Sequence, residues 1–401
     1  MQSRRNAHRD PNQGDRAVRN QVEKYLNKLL AHGLIDARED CALYGLDDEI
    51  STNLDRVPGE VERLFEILSI SSLVHARPGR DLWRIITALC DESLLLITPR
   101  DSESLTFIHD IPVVDTFDPD QIACALNRRK GCIVRDSGIV TLGSVSVEQA
   151  FIVLSSICFA CFVKYFSDIL NTICEFSPEI RPEHAHFEQA LELLDGFRPP
   201  SGINDLPARI PDTEEGIVHA MDITGKLMVS RRLVDSFFGN ISCLKGDDLY
   251  ISQTGSSLDE LPGYIDRVPL DGSSTCDLTS SSELMAHLRI YELTGHRLII
   301  HGHPKFSVIM SMFGGELPFG QRRSVGGIPV VSGEVGAGRR GLMHTLPEAL
   351  VEGHAAIVSG HGTFLSDAAS FSNAFERLSA IEHRCYETYF ETLRKNGIEV
   401  P

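Results

Sequence analysis

Positive charge is what this sequence is short of. Lys and Arg number 38 against 56 Asp and Glu over 401 residues, a formal net charge of -18 with a pI near 5.3. That deficit argues against nucleic acid or an anionic membrane as a partner, because both are held by a basic face that displaces counterions. A small anionic substrate stays open, since a few local donors can hold it. An apolar targeting region is also missing. The opening "MQSRRNAHRDPNQGDRAVRN" is polar and Arg-rich, and residues 1–19 read as a flexible tail rather than a secretory signal. Of the ten cysteines only Cys158 and Cys161 form a C-x-x-C pair, and no second pair matches it. The cysteines therefore read as buried thiols of a reducing cytoplasm, not as a disulfide framework or a metal knuckle. The apolar run around that pair, "AFIVLSSICFACFV", reads as too short to span a membrane.

What is present is enough apolar material, 42% of residues, to build two or three domains. An internal repeat sharpens this. Residues 126–166 laid over 350–390 without a gap share 13 of 41 positions, among them Ile133/Ile357, Gly138/Gly362, Phe151/Phe375 and Tyr165/Tyr389. Unrelated segments would share about 2 or 3. A shorter match sets "DEISTNLDRVP" at 48–58 over "DELPGYIDRVP" at 259–269. The chain reads as two copies of one domain, joined by a segment whose end, "GFRPPSGINDLPARIPD", is rich in Pro and Gly. Before that end, "RPEHAHFEQALELLDG" reads as a short helix that places His184 and His186 on diverging faces.

The second copy carries the chemistry. In "RLIIHGHPKF" an apolar strand delivers His301 and His303 at its end, and Pro304 opens a helix. Alternate strand residues share a face, so the two imidazoles can converge, although about 0.6 such pairs are expected by chance in a chain this rich in His. A second strand, "AAIV", ends in "SGHG" and presents His361. Three imidazoles at neighbouring strand ends form an open site for Zn2+, or for Mn2+ or Co2+, with a coordination position left for substrate. In the first copy Ser137 stands where the second has His361, and "LLLITPR" at 94–100 is set against "LIIHGHP", so the first copy reads as lacking the ligands. A lone G-x-G-x-x-G in "GEVGAGRRG" is not read as a nucleotide site, because Pro347 interrupts the helix it would need.

Five motifs then occur in one order: "GNIS" at 239–242, "ISQTG" at 251–255, "SSE" at 281–283, "HGH" at 301–303 and "GHG" at 360–362. Together they resemble the class II aldolase/adducin family, of the L-fuculose-1-phosphate aldolase type. The resemblance implies an α/β fold: two α/β/α domains, each with a central, largely antiparallel sheet flanked by helices. It divides the chain into the tail 1–19, a degenerate domain 20–170 without metal ligands, a linker with a short helix 171–212, and an intact catalytic domain 213–401. It implies that His301, His303 and His361 hold the metal and that Glu283 moves the proton at carbon beside a substrate carbonyl. Gly239, Asn240, Thr254, Gly255, Ser281 and Ser282 would form the pocket for a terminal phosphate.

One departure from the pattern concerns the proton donor. The family's aldolases use a tyrosine from a neighbouring subunit ahead of a "GG..IP" segment, whereas "LPFGQRRSVGGIP" offers Arg322 and Arg323 for a proton donor or an acidic substrate group. The expectation is a divalent-metal-dependent aldolase that works through a metal-stabilised enediolate. Its substrate would be a small, phosphorylated hydroxyketone or sugar. A decarboxylase or epimerase on the same site, and a non-catalytic adducin-like interaction module, are the alternatives. The expected assembly is a homo-oligomer, two tandem chains imitating a tetramer, without nucleic-acid or membrane partners.

Overall fold

The short apolar runs of the sequence become the inner strands of two sheets, and the longer 3.6-periodic stretches become the helices around them. The computed structural model describes residues 12–92, 95–175, 187–202, 205–234, 237–275, 278–336 and 338–398. His184 and His186 lie outside the described residues. Contacts divide the chain into unit 1, Met1–Pro99 with Ser104–Cys161, and unit 2, Arg100–Glu103 with Phe162–Pro401.

Unit 1 begins with α1 (Asn12–Ala31), β1 (Cys41–Leu46), β2 (Ile50–Thr52), α2 (Gly59–Ile67), β3 (Ser72–Ala76), α3 (Arg80–Glu92) and β4 (Leu96–Ile97). The chain continues through α4 (Ser102–Phe107), β5 (Ile111–Val114), α5 (Pro119–Leu126), β6 (Gly131–Val134), β7 (Gly138–Gly143) and α6 (Val147–Glu175). The sheet order is β2-β1-β3-β7-β6-β5-β4, and every neighbouring pair is antiparallel except β5 with β6.

Unit 2 opens with α7 (Phe187–Gly196), α8 (Glu214–Ser230), β8 (Asn240–Lys245), β9 (Asp248–Ser252), β10 (Ile265–Pro269), α9 (Leu284–Thr294) and β11 (Leu298–Gly302). There follow α10 (Lys305–Met312), β12 (Arg322–Val325), β13 (Ile328–Val331), α11 (Leu346–Gly353), β14 (Ala355–Val358), β15 (Gly362–Asp367) and α12 (Phe371–Lys395). Its order, β10-β9-β8-β11-β15-β14-β13-β12, repeats that of unit 1 with β10 added, and again one pair, β13 with β14, is parallel. The fold is therefore the expected α/β architecture with two largely antiparallel sheets and flanking helices.

The elements end where their sequences say they should. Ser370 caps α12 by accepting from Asn373 N, and Phe371, Ala374, Phe375, Leu378, Cys385 and Tyr389 give that helix one buried face. All five residues of β11 are buried between β8 and β15, which is why the run ahead of His301 is continuously apolar rather than alternating.

Four sequence expectations need correcting. Residues 12–19, read as part of a tail, are the first turns of α1. The apolar stretch around Cys158 and Cys161 is not limited to fourteen residues. Val147–Ile173 is long and apolar enough to cross a membrane, but 89% of its most apolar window is buried inside the protein. The match of 48–58 with 259–269 joins unlike elements, since Ile50–Thr52 is β2 and leads into α2 whereas the second segment ends in β10.

The fourth correction concerns the metal strand. "LLLITPR" is not the counterpart of "LIIHGHP": β4 is an edge strand paired with β5, and the strand that occupies the place of β11 is β3, "SLVHA". Register fixes the residues. Ala76 faces Ile139 as Gly302 faces Thr363, so His75 stands where His301 stands, and the first copy keeps one of the three histidines.

Candidate metal centre and catalytic site

β11 ends inside the sheet at Gly302, which places His301 in the strand and His303 two residues on, ahead of α10. Pro304 is the N-cap of that helix rather than its first residue. The carboxylate of Glu382, reaching from α12, accepts from Phe306 N at 2.8 Å and Ser307 N at 2.9 Å and so ties down the helix start behind His303. Burial pushes Glu382 up to about 7 against those two hydrogen bonds. His361 follows β14 on a turn held by Gly360 N donating to Ser311 Oγ at 2.9 Å.

The three imidazoles meet through one atom each. His301 Nε2 lies 3.1 Å from His303 Nε2 and 3.2 Å from His361 Nε2, and all three side chains are buried. Two glycines permit this. A Cβ on Gly239 would come within 2.5 Å of the His301 carbonyl oxygen, and one on Gly362 within 2.4 Å of the Gly302 carbonyl oxygen. Aromatic rings fix the imidazole planes: Phe364 stacks on His301 with centroids 3.7 Å apart, and Phe238 on His303 at 5.8 Å.

Glu283 is the N-cap residue of α9, yet its side chain caps nothing there and turns to the histidines. Its Oε1 is 3.1 Å from His361 Nε2, and its Oε2 is 3.6 Å from His301 Nε2. Asn240 Nδ2 donates to Glu283 Oε2 at 2.6 Å and to Ser281 Oγ at 3.0 Å. Glu283 is buried, which alone would raise its pKa, but His301 and His361 outweigh that and hold it well below the usual carboxylate range. Burial opposes charge on His361 too. Hydrogen bonds to Glu103 and Glu283 nevertheless push it up to about 10, whereas burial takes His301 down to about 4 and His303 well below its ordinary value. The centre thus favours one positive charge among three rings and two carboxylates.

A divalent cation fits this donor set. The three nitrogens lie within 4.8 Å of one another, which makes them the one cluster of this kind among the described residues. His301 Nδ1 donates to the Thr363 carbonyl at 3.1 Å, so its Nε2 presents a lone pair to the centre. Asn240 Oδ1, beside Glu283, is buried without a hydrogen-bond partner and stands ready to accept from a ligand.

Of the expected phosphate residues, Gly239 lies against the His301 carbonyl, and the other five split into two groups. Asn240 and Ser281 are buried against Glu283, while Thr254, Gly255 and Ser282 are exposed on adjoining turns. Those turns are joined by Thr254 N donating to Thr279 O at 3.1 Å and by Asp266, which accepts from Gln253 Nε2 at 2.7 Å and Thr279 Oγ1 at 2.6 Å.

Arg322 and Arg323 are not brought to the histidines by any hydrogen bond or ion pair among the described residues. Arg322 pairs with Glu348 and Glu352, both at 2.9 Å, and Arg323 donates to Gly315 O, Ser311 O and Ser359 Oγ. Gly341 leads into a short 3-10 turn, Leu342–His344, and not into the helix a nucleotide fingerprint would need.

Sequence reading missed Phe364, Asp266, Glu382 and Glu103. Phe364 and Glu382 carry no motif, Asp266 sits in the shared "DRVP" without a role read for it, and Glu103 sits in "RDSES", far from the histidines along the chain. His361 Nδ1 lies 3.2 Å from Glu103 Oε2.

Comparison with known proteins narrows the class. Residues 221–389 match the family model described as Class II Aldolase and Adducin N-terminal domain. An L-fuculose-1-phosphate aldolase from Thermus thermophilus is 22% identical, covering 45% of this chain and 97% of its own, with a TM-score of 0.37. YgbL from Escherichia coli, a candidate aldolase/epimerase/decarboxylase, is 21% identical over 47% of this chain and 93% of its own, with a TM-score of 0.38. A sugar-phosphate aldolase from Thermotoga maritima is 17% identical over 45% and 96%, with a TM-score of 0.33. Structural likeness at this level adds no functional argument, and no curated protein sequence matches the chain. Residues 221–389 are a domain of the class II aldolase and adducin family.

Proposed function

We propose that this protein is a divalent-metal-dependent carbon-carbon lyase of the aldolase type, acting on a small, phosphorylated hydroxyketone or sugar. The observation that carries the reading is the meeting of three histidine Nε2 atoms beside one buried, oriented carboxylate, with Glu283 3.1 Å from His361 Nε2. His301, His303 and His361 would hold Zn2+, Mn2+ or Co2+. A cation there supplies Lewis acidity for negative charge that develops on substrate oxygen. Glu283 is ionised at neutral pH and is held by Asn240, so it is in the accepting state and aimed when a proton leaves the carbon next to the carbonyl. Thr254, Gly255 and Ser282, small and exposed on neighbouring turns, suit a phosphate held by neutral donors.

Arg322 ties β12 to α11 and Arg323 ties it to the Ser311 and Gly315 carbonyls, and neither takes part in this reading. The substrate class and the homo-oligomer of tandem chains belong to the same proposal, and so does the cytoplasmic setting. Solution mass tests the oligomer, since a stable, fully active monomer contradicts it.

The deciding experiment offers dihydroxyacetone phosphate or pyruvate with varied aldehydes to the purified full-length chain and to Glu283→Gln, with metal content measured on both. We expect metal-dependent turnover, and a fall of about 10²–10⁴-fold in kcat with metal retained in Glu283→Gln. Carbon dioxide release or epimerised product in place of carbon-carbon cleavage would move the chain to the decarboxylase or epimerase reading. A chain that takes up no zinc, manganese or cobalt and turns nothing over would be a non-catalytic, adducin-like module.

A further inference from the structure

We propose that Glu103 is the residue that orients His361 as a metal ligand, accepting a hydrogen bond from Nδ1–H so that Nε2 presents its lone pair to the centre. The inference rests on the metal reading above and adds a positioning residue to it. His361 Nδ1 and Glu103 Oε2 are 3.2 Å apart, with the side chains 7% and 26% exposed, so the histidine end of the contact is buried and the carboxylate partly so.

Glu103 is placed deliberately by the chain. Arg100–Glu103 belongs to unit 2 although the residues on either side of it in sequence belong to unit 1. Ser102 N and Ser102 Oγ both donate to the carbonyl of Gly360, at 2.7 and 2.8 Å, next to the ligand itself. Arg100 Nε donates to Asp168 Oδ1 at 2.7 Å, and Lys164 holds the other oxygen of that carboxylate at 2.6 Å. Arg100 and Ser102 are thus both anchored, and the carboxylate of Glu103, next along in the first turn of α4, points at one ring nitrogen.

The second imidazole shows what is distinctive here. His301 donates its Nδ1–H to a backbone carbonyl, which orients the ring but brings no net charge. A carboxylate does both: it fixes the tautomer and makes the opposite nitrogen a better donor to a cation. Ser137 replaces His361 in the first copy and forms its hydrogen bond to His75 at 3.0 Å, without a carboxylate in the contact.

The test uses the full-length protein, stripped of metal, with zinc affinity read by chelator competition and the visible spectrum read after cobalt loading. Wild type, Glu103→Gln, Glu103→Ala and His361→Ala are compared, with the thermal midpoint of each metal-free form as a folding control. Removing an outer partner of a metal-bound histidine costs about 10–100-fold in affinity. We expect that loss in Glu103→Ala, an intermediate loss of about tenfold in Glu103→Gln, which keeps a neutral acceptor, and an altered cobalt spectrum in both. Zinc affinity within twofold of wild type in Glu103→Ala, with an unchanged cobalt spectrum, overturns the proposal. If Glu103→Ala does not fold, Glu103→Gln decides, and wild-type affinity there overturns it as well. The two readings separate cleanly. A wild type that takes no metal ends the metal reading and this one together, whereas metal bound by wild type and Glu103→Ala alike but lost in His361→Ala ends only the role of Glu103.

Discussion

At the end of β3 the ring of His75 meets Ser137 Oγ at 3.0 Å, and at the end of β11 the ring of His301 meets His361 Nε2 at 3.2 Å. The surroundings of the two contacts are built alike. A Cβ on Gly138 would come within 2.5 Å of the Ala76 carbonyl oxygen, and one on Gly362 within 2.4 Å of the Gly302 carbonyl oxygen, so the same close strand approach survives in both units. The polar side chains differ. Arg77 follows β3 where His303 follows β11, and α2 starts after Pro58 where α9 starts after Glu283. Val140 faces His75 across the sheet where Phe364 faces His301, and the ring against His75 is instead Phe117, with centroids 4.8 Å apart. A strand pair can therefore keep its backbone geometry while the residues proposed as ligands and base differ, because the close strand approach depends on the glycine and the apolar strand rather than on them.

Three perturbations probe that comparison, beginning with the largest. His301→Ala should lower zinc affinity by more than about 100-fold, the upper cost of losing only an outer partner, while His75→Ala leaves metal content and turnover unchanged. Equal loss in both, read by metal analysis, would mean that the first unit also holds metal. Next, Gly138→Ala and Gly362→Ala should each destabilise the chain by about 1–3 kcal/mol, because a methyl would meet backbone in either case. Only Gly362→Ala should also disturb metal binding, a split that denaturant titration and metal content together can read.

The smallest effect is a pH dependence. Burial takes His75 down to about 4 from an ordinary 6.5, so the folded protein binds fewer protons than the unfolded chain between those values. Stability from keeping His75 neutral is full above about pH 6.5, is lost as pH falls towards 4, and amounts to no more than about 3 kcal/mol. His75→Gln should flatten the fall of the thermal midpoint between pH 7 and 4.5. An unchanged slope would show that His75 is not the group responsible.

The parts of this molecule that could be read along the chain are those written in consecutive residues. "HGH", "GHG" and "SSE" mark their strand ends and helix start because metal and base chemistry demand particular side chains at fixed steps, and α6 and α12 showed themselves as a repeat because their buried faces kept identical residues. The counterpart of β11 was misplaced because "LLLIT" is the more apolar run. The true counterpart, "LVHARP", keeps only His75 and Pro78 of the pattern. Strand order, set by hydrogen bonds across the sheet, decides between them, and nothing local encodes it. Glu103 and Asp266 escaped for a related reason. A carboxylate that orients a ring or ties two turns needs only to arrive in space, so no spacing announces it.

The interruption of unit 1 by Arg100–Glu103 has a consequence for how such a chain can change. Any deletion that takes out residues 1–161 as one continuous block also removes the four residues that group with unit 2, so the two units cannot be parted by a single cut.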